Sequence, residues 1–353
     1  MEDIIRVENL HVHFYSKDGV AKAVNGVNLS LQENSVLALV GESGSGKTVT
    51  ALAILGLVPF PGRVVEGRIL LNGENLLDSS PERLREIRGK EIGTVFQDAQ
   101  AALNPRLPIA IQVEEALLAH TSMTKRDARI RAEEMLTEMG IPDPQRILNQ
   151  YPFQLSGGMC QRIMLSIALA LRPKVIIADE PTSNLDMTLQ AWVLEHLRQL
   201  KREYGTTILL ITHDMGVVAQ MADHVAVIYS GSVVEYADTI TLFKRPAHPY
   251  TWGLFQALPR LDDVERSLMP MRGRAPDPTE LKDECPFIPR CPKATNICRT
   301  SPKPALRLIE DQHYVACFNE IRHDWEAAPA SGSRRTTQPP APPEPDPRPT
   351  HHA

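Results

Sequence analysis

The octapeptide Gly41-Glu42-Ser43-Gly44-Ser45-Gly46-Lys47-Thr48 constrains this chain more than any other feature of its 353 residues. It follows an apolar run, Val36-Leu37-Ala38-Leu39-Val40, and precedes a helical stretch from Val49 to Leu57. It therefore fits G-x-x-x-x-G-K-[ST] in the strand, loop and helix context that gives this pattern its meaning. Glycines let successive backbone N–H groups curl around phosphate oxygens, and the following helix turns its positive end toward the anion. In that chemistry Lys47 reaches the β and γ phosphates and Thr48 ligates Mg²⁺. Gly41, Ser43, Gly44, Ser45, Gly46, Lys47, Thr48 and Val49 are thus the first candidates for a nucleoside triphosphate site.

A second signal is the run Val175-Ile176-Ile177-Ala178-Asp179-Glu180, a buried-strand pattern ending in two adjacent carboxylates. With a phosphate loop present, Asp179 is placed to serve the metal and Glu180 the attacking water. Around these motifs, residues 4–75 read as strands and turns interrupted by one glycine-rich turn and helix. Residues from about 108 to 140 read as helical, with Ile111, Val113, Ala116, Leu117, Met135, Leu136 and Met139 spaced three and four apart. Residues 154–236 alternate helix and apolar strand, which predicts a parallel sheet covered on both faces.

Composition narrows the class. The net charge of −5 supplies no bulk attraction to nucleic acid. The longest apolar runs, such as Ile167-Ala168-Leu169-Ala170-Leu171, fall far short of the roughly 18 to 20 residues needed to cross a bilayer. Met1-Glu2-Asp3 has neither the basic start nor the apolar core of a secretory signal, so a cytoplasmic chain is expected. Residues 329–353 hold eight prolines and almost no large apolar side chain, the composition of a disordered tail.

Leu155-Ser156-Gly157-Gly158-Met159-Cys160-Gln161-Arg162 opens a further helix, with Ser156 as its cap and two glycines that permit close approach of an anion. In this order and spacing, the motifs resemble those of ATP-binding cassette (ABC) ATPases, whose signature segment is usually Leu-Ser-Gly-Gly. Gln97, after Gly93-Thr94-Val95-Phe96, resembles that family's Q-loop glutamine. Ser183-Asn184-Leu185-Asp186 resembles the D-loop, with Asn184 where many relatives carry Ala, and His213 resembles the switch histidine. The expected fold class is α/β: an ABC-type P-loop nucleotide-binding domain with a RecA-like core, an antiparallel β subdomain and a helical subdomain over about 98–170. This domain would span residues 1–245.

The resemblance also implies roles. Two such domains pair head to tail, so that the phosphate loop of one and Ser156, Gly157 and Gly158 of the other enclose each ATP. Glu180 would polarise water, His213 would hold the γ-phosphate, Gln97 would link Mg²⁺ to the membrane partner, and Asp186 would communicate across the dimer. Adenine would stack on Phe14 or Tyr15, with Phe14 preferred. Cys160 is expected to be a small helix residue and not a reactive thiol.

Arg245-Pro246-Ala247-His248-Pro249-Tyr250-Thr251 and Cys285-Pro286-Phe287-Ile288-Pro289-Arg290-Cys291-Pro292 resemble the carboxy-terminal extension of dipeptide, oligopeptide and nickel importer ATPases. The extension would occupy residues 246–325, followed by the tail at 326–353. Its cysteines, Cys285, Cys291, Cys298 and Cys317, run C-x5-C-x6-C-x18-C, neither a zinc-ribbon nor a ferredoxin spacing. Their chemistry alone leaves Zn²⁺, an iron–sulfur cluster and reduced thiols open. The resemblance favours a 4Fe–4S cluster, with Zn²⁺ as the alternative. It further implies an ATP-hydrolysing importer subunit, peripheral at the cytoplasmic face of the inner membrane. Its partners would be two transmembrane permease subunits, a second homologous ATPase and an extracytoplasmic substrate-binding protein. An importer of nickel or another small solute, and a soluble non-transport cassette ATPase, are the alternatives.

Overall fold

In the computed structural model the described residues are 3–17, 19–183, 185–257 and 271–321. Two long strands, β1 (Asp3–Ser16) and β2 (Gly19–Gln32), pair antiparallel. Ile5, Val7, Leu10 and Val12 of β1 are buried while Arg6, Asn9 and Tyr15 are exposed, as in a sheet with one covered face. A register shift between Val7 and Leu10 resets the alternation, as a bulge does.

The strand β3 (Val36–Val40) is buried at every residue and runs through the phosphate loop into α1 (Lys47–Ile54). The strands β4 (Gly62–Leu71) and β5 (Glu74–Asn75) complete a four-stranded antiparallel sheet ordered β2-β1-β4-β5. Next, α2 (Pro81–Lys90), capped by the Ser80 hydroxyl, leads to β6 (Ile92–Val95). Five helices then follow in succession: α3 (Ala99–Ala102), α4 (Ile109–Leu118), α5 (Lys125–Glu138), α6 (Pro144–Leu148) and α7 (Gly157–Leu169). The helical stretch expected over 108–140 is broken between α4 and α5, where the Thr124 hydroxyl accepts the Asp127 N–H and starts a new helix.

The chain re-enters the main sheet with β7 (Val175–Asp179), α8 (Met187–Tyr204), β8 (Thr207–Thr212), α9 (Met215–Met221) and β9 (His224–Tyr229). It then reverses through β10 (Ser232–Asp238) into α10 (Thr239–Lys244), α11 (Pro249–Gln256) and α12 (Asn296–Thr300), and ends with β11 (Arg307–Glu310) and β12 (His313–Val315). The main sheet has the order β11-β12-β10-β9-β3-β8-β7-β6. From β9 to β6 all pairings are parallel, and all residues of β3, β7 and β8 are buried. That is the pattern of strands covered on both faces, each large side chain contributing about 1.5–3 kcal/mol by leaving water.

One apolar core joins the five-helix segment to the sheet through Val113, Leu136, Leu165 and Ile208. A second packs the antiparallel sheet and α1 onto the other face through Leu10, Leu31, Ile54 and Ile211. A third, built on Tyr229, Tyr250 and Phe287, ties residues of the extension to β9. Among the described residues no helix is long and apolar enough to cross a membrane. The expected tail at 326–353 and Asn184 lie outside the described residues.

Candidate functional site

The phosphate loop leaves the carboxyl end of β3, where ligands gather in open parallel sheets. Gly46, with φ 105°, caps α1, and a Cβ there would stand 2.5 Å from the Ala23 carbonyl oxygen, so only glycine fits. The Gly231 N–H donates to the Ser45 carbonyl at 2.9 Å, and the Ser45 Oγ is buried without a partner. Lys47 is buried, and its Nζ donates to the carbonyl oxygens of Gly41 (2.9 Å) and Glu42 (3.0 Å). Burial pulls its ammonium below the ordinary lysine range, opposed by the charges of Glu180, Asp179 and Glu42.

The carboxylates at the end of β7 differ in environment. Asp179 is buried, its Oδ1 has no hydrogen-bond partner, and the Thr48 hydroxyl bonds to its carboxyl group. Burial raises its pKa, while the Thr48 bond acts in the opposite direction. Glu180 takes the left-handed conformation at φ 46° and its N–H donates to the Ile211 carbonyl at 2.8 Å. Its side chain gathers two more candidates: Gln97 Nε2 donates to Oε2 at 3.1 Å, and His213 Nδ1 lies 3.0 Å from Oε1. A cavity of about 430 Å³ is lined by Ser43, Gly44, Gly46, Lys47, Thr48, Val49, Gln97, Glu180, Ser183 and His213, together with Ala23.

Other candidates lie outside that lining. Ser156 caps α7 by accepting the Met159 N–H, and Gly157 and Gly158 open that helix. Asp186 caps α8, accepting from the N–H groups of Thr188 (3.0 Å) and Leu189 (2.9 Å). The ring of Phe14 lies over Gly62, whereas Tyr15 is exposed with the Arg63 guanidinium 5.8 Å from its ring centre. Cys160 is fully buried, and burial pushes its thiol above the ordinary range.

The four extension cysteines border one cavity of about 10 Å³, room for about one water. Burial pushes the thiol of Cys285 up to about 11 and that of Cys317 up to about 12. Soft sulfur donors suit zinc or iron–sulfur chemistry. Among the described residues, however, no group of three or more His, Cys, Asp or Glu is placed to hold a metal ion, so the expected 4Fe–4S cluster gains no support from the geometry.

Two contacts escaped the sequence reading. Gln161 is buried and its Nε2 donates to the Pro181 carbonyl at 3.0 Å, tying the signature helix to the loop that carries Glu180. Arg290 of the extension grips Glu42 of the phosphate loop with two N–H···O contacts of 2.8 Å. The only local signal for either was a polar side chain within an otherwise apolar or proline-rich run.

A phosphate loop at the end of the parallel strand β3, two carboxylates at the end of β7, beyond β8 in the sheet, and a glutamine and histidine meeting the second of them define a P-loop ATPase of the ABC class. The family described as ABC transporter matches residues 24–183. An ATP-binding cassette solved as a dimer in a post-hydrolysis state, bound to ADP and Pi, superposes with a TM-score of 0.60 at 30% identity, covering 67% of this chain and 98% of that one. The family described as oligopeptide/dipeptide transporter, C-terminal region, matches residues 234–298. The dipeptide transport ATP-binding protein DppD of Bacillus subtilis is 45% identical over 320 residues, 90% of this chain and 95% of that protein. The oligopeptide transport ATP-binding protein OppD of Haemophilus influenzae is 43% identical over 330 residues, 93% and 98% of the two chains. The chain belongs to the family of ATP-binding subunits of dipeptide and oligopeptide ABC transporters.

Proposed function

We propose that this chain hydrolyses ATP to power import of dipeptides or oligopeptides from the cytoplasmic face of the membrane. Similarity to peptide-transport subunits runs through the cassette and the extension alike, and this carries the reading. Two permease subunits, a second homologous ATPase and an extracytoplasmic binding protein complete the assembly. Loss of ATP-dependent dipeptide uptake when the chain is deleted, restored by the wild-type chain and not by Glu180→Gln, is the expected result. Uptake that persists without the chain would overturn the assignment.

The donor set at the end of β7 suits a hard cation: the buried Asp179 carboxylate has an unpartnered oxygen, and the Thr48 hydroxyl adjoins it. Thr48, Asp179 and Gln97 would hold Mg²⁺, which when bound neutralises charge between the β and γ phosphates. Glu180 accepts a hydrogen bond from the attacking water and orients it. His213, on the other side of that carboxylate, donates to the γ-phosphate. Lys47 moves from its carbonyl contacts to the phosphates, and the N–H groups of Gly44 to Val49 cradle them. Phe14 or Tyr15 offers the surface for adenine. Ser156, Gly157 and Gly158, which do not line their own chain's cavity, close over ATP held by the partner ATPase, with Asp186 at the same junction. Catalysis is then positioning and charge stabilisation in a dry interface.

For Cys285, Cys291, Cys298 and Cys317 our reading is a thiolate site for a 4Fe–4S cluster or Zn²⁺. The soft-donor chemistry of four cysteines in one small segment supports it, not their placement. Iron, acid-labile sulfide and zinc measured on anaerobically purified chain decide it, and a metal-free preparation with full ATPase activity would remove it.

A further inference from the structure

The phosphate loop is usually regarded as held by its own strand and helix. Here one of its residues is also held from outside. The Arg290 side chain is almost fully buried, with 4% of its surface exposed, and its Nη1 and Nη2 each reach a Glu42 carboxylate oxygen at 2.8 Å. This fork geometry fixes orientation as well as distance. The guanidinium is itself braced: Nε donates to the Arg272 carbonyl at 3.0 Å, and the group lies over the rings of Tyr229 and Phe287 at 5.7 and 5.9 Å. The Glu42 backbone is held by the extension too, since its N–H donates to the Tyr250 hydroxyl at 2.8 Å.

Glu42 leads directly to the chemistry. Its carbonyl oxygen accepts from Lys47 Nζ at 3.0 Å and from the Ser45 N–H at 3.2 Å. Its carboxylate does not line the nucleotide cavity, so it is free to serve as an anchor. The extension therefore grips the first turn of the loop at two points, one on the side chain and one on the backbone. The Lys47 ammonium rests against that same residue.

We propose that the carboxy-terminal extension sets the phosphate loop for ATP binding, with Arg290 as a positioning residue acting through Glu42 and Tyr250 adding a second hold. The proposal rests on the ATP site described above. In it, the extension is part of the nucleotide-binding machinery even though none of its residues touches the nucleotide.

The test is ATP affinity of the purified full chain, measured by titration calorimetry for wild type, Arg290→Ala, Arg290→Lys, Glu42→Gln, Tyr250→Phe and the Glu42→Gln/Arg290→Ala double variant. Thermal melting serves as the control for folding. Arg290→Ala and Glu42→Gln should each weaken ATP binding about tenfold, equivalent to about 1.4 kcal/mol. The double variant should be no weaker than the worse single one, because both remove the same contact. Arg290→Lys should recover part of the affinity, and Tyr250→Phe should show a smaller loss. In the assembled transporter the KM for ATP should rise while kcat holds. Should Arg290→Ala fail to fold, Glu42→Gln carries the test, since it leaves every extension residue in place. Unchanged affinity in both single variants, or losses that add in the double, would overturn the proposal. A wild-type chain that binds no ATP would instead overturn the site itself.

Discussion

Glu180 Oε1 stands 3.0 Å from His213 Nδ1, while its other oxygen accepts from Gln97 Nε2 at 3.1 Å. Three segments more than thirty residues apart in the chain thus converge on one carboxylate. Glu180→Gln should keep ATP binding and lower turnover by about 10²–10⁴, the range expected for loss of a general base or water-orienting group. Single-turnover hydrolysis by the assembled transporter measures this, and wild-type turnover would remove Glu180 from its role.

Lys47 is buried against its own loop and must exchange carbonyl contacts for phosphate oxygens. Lys47→Ala should reduce ATP affinity by about a hundredfold, two steps of 1.4 kcal/mol. Calorimetric titration checks it, and ordinary affinity would show that the backbone N–H groups suffice.

Burial lowers the pKa of His248 from 6.5 to about 4, against the opposing charge of Glu235. Its Nδ1 accepts the Tyr250 N–H at 3.0 Å and its Nε2 has no partner. The unfolded chain takes up this proton near pH 6.5 and the folded one only near 4, so the unfolded state binds more protons between those values. Stability is therefore full above pH 6.5 and falls as the pH drops toward 4, by roughly 3 kcal/mol at 1.36 kcal/mol per unit. Urea unfolding at pH 7 and pH 4.5 should show that loss, and His248→Asn should reduce it. Equal pH dependence in the two proteins would contradict the assignment.

Gln161→Leu should destabilise the fold by about 1–3 kcal/mol, because it leaves the buried Pro181 carbonyl without its donor. The same variant should slow hydrolysis, since that carbonyl follows Glu180 directly. A denaturation midpoint and turnover both equal to wild type would show the contact to be idle.

The phosphate loop, Asp179 and Glu180 were legible because each is a contiguous pattern whose chemistry depends on immediate neighbours. Gln97 and His213 were legible through the order of motifs, and the structure brings both to Glu180. The grip of Arg290 on Glu42 was not, because 248 residues separate the partners and neither stands in a periodic pattern. The contact between Gln161 and Pro181 failed for the same reason over a shorter span. The break between α4 and α5 falls between the two apolar groups that predicted the helix, Ile111 to Leu117 and Met135 to Met139, and the Thr124 cap that decides it is a single hydroxyl. The expected metal cluster came from resemblance alone, and sequence spacing carries no information on how far apart the sulfurs stand.

Strand β12 pairs with β10 through Glu235 opposite Val315 and Tyr236 opposite Tyr314, and β11 covers β12 in turn. A chain cut after residue 245 would keep every nucleotide motif yet leave the β10 backbone with unpaired N–H and C=O groups, a template for self-association. Among the described residues the strand at this edge is instead β11, four residues long, with Arg307 and Glu310 exposed on it. Short length and charge are the features that discourage further strand addition. The last strands of the fold thus act as a solubility guard, and a trimmed cassette is expected to precipitate for reasons unrelated to ATP.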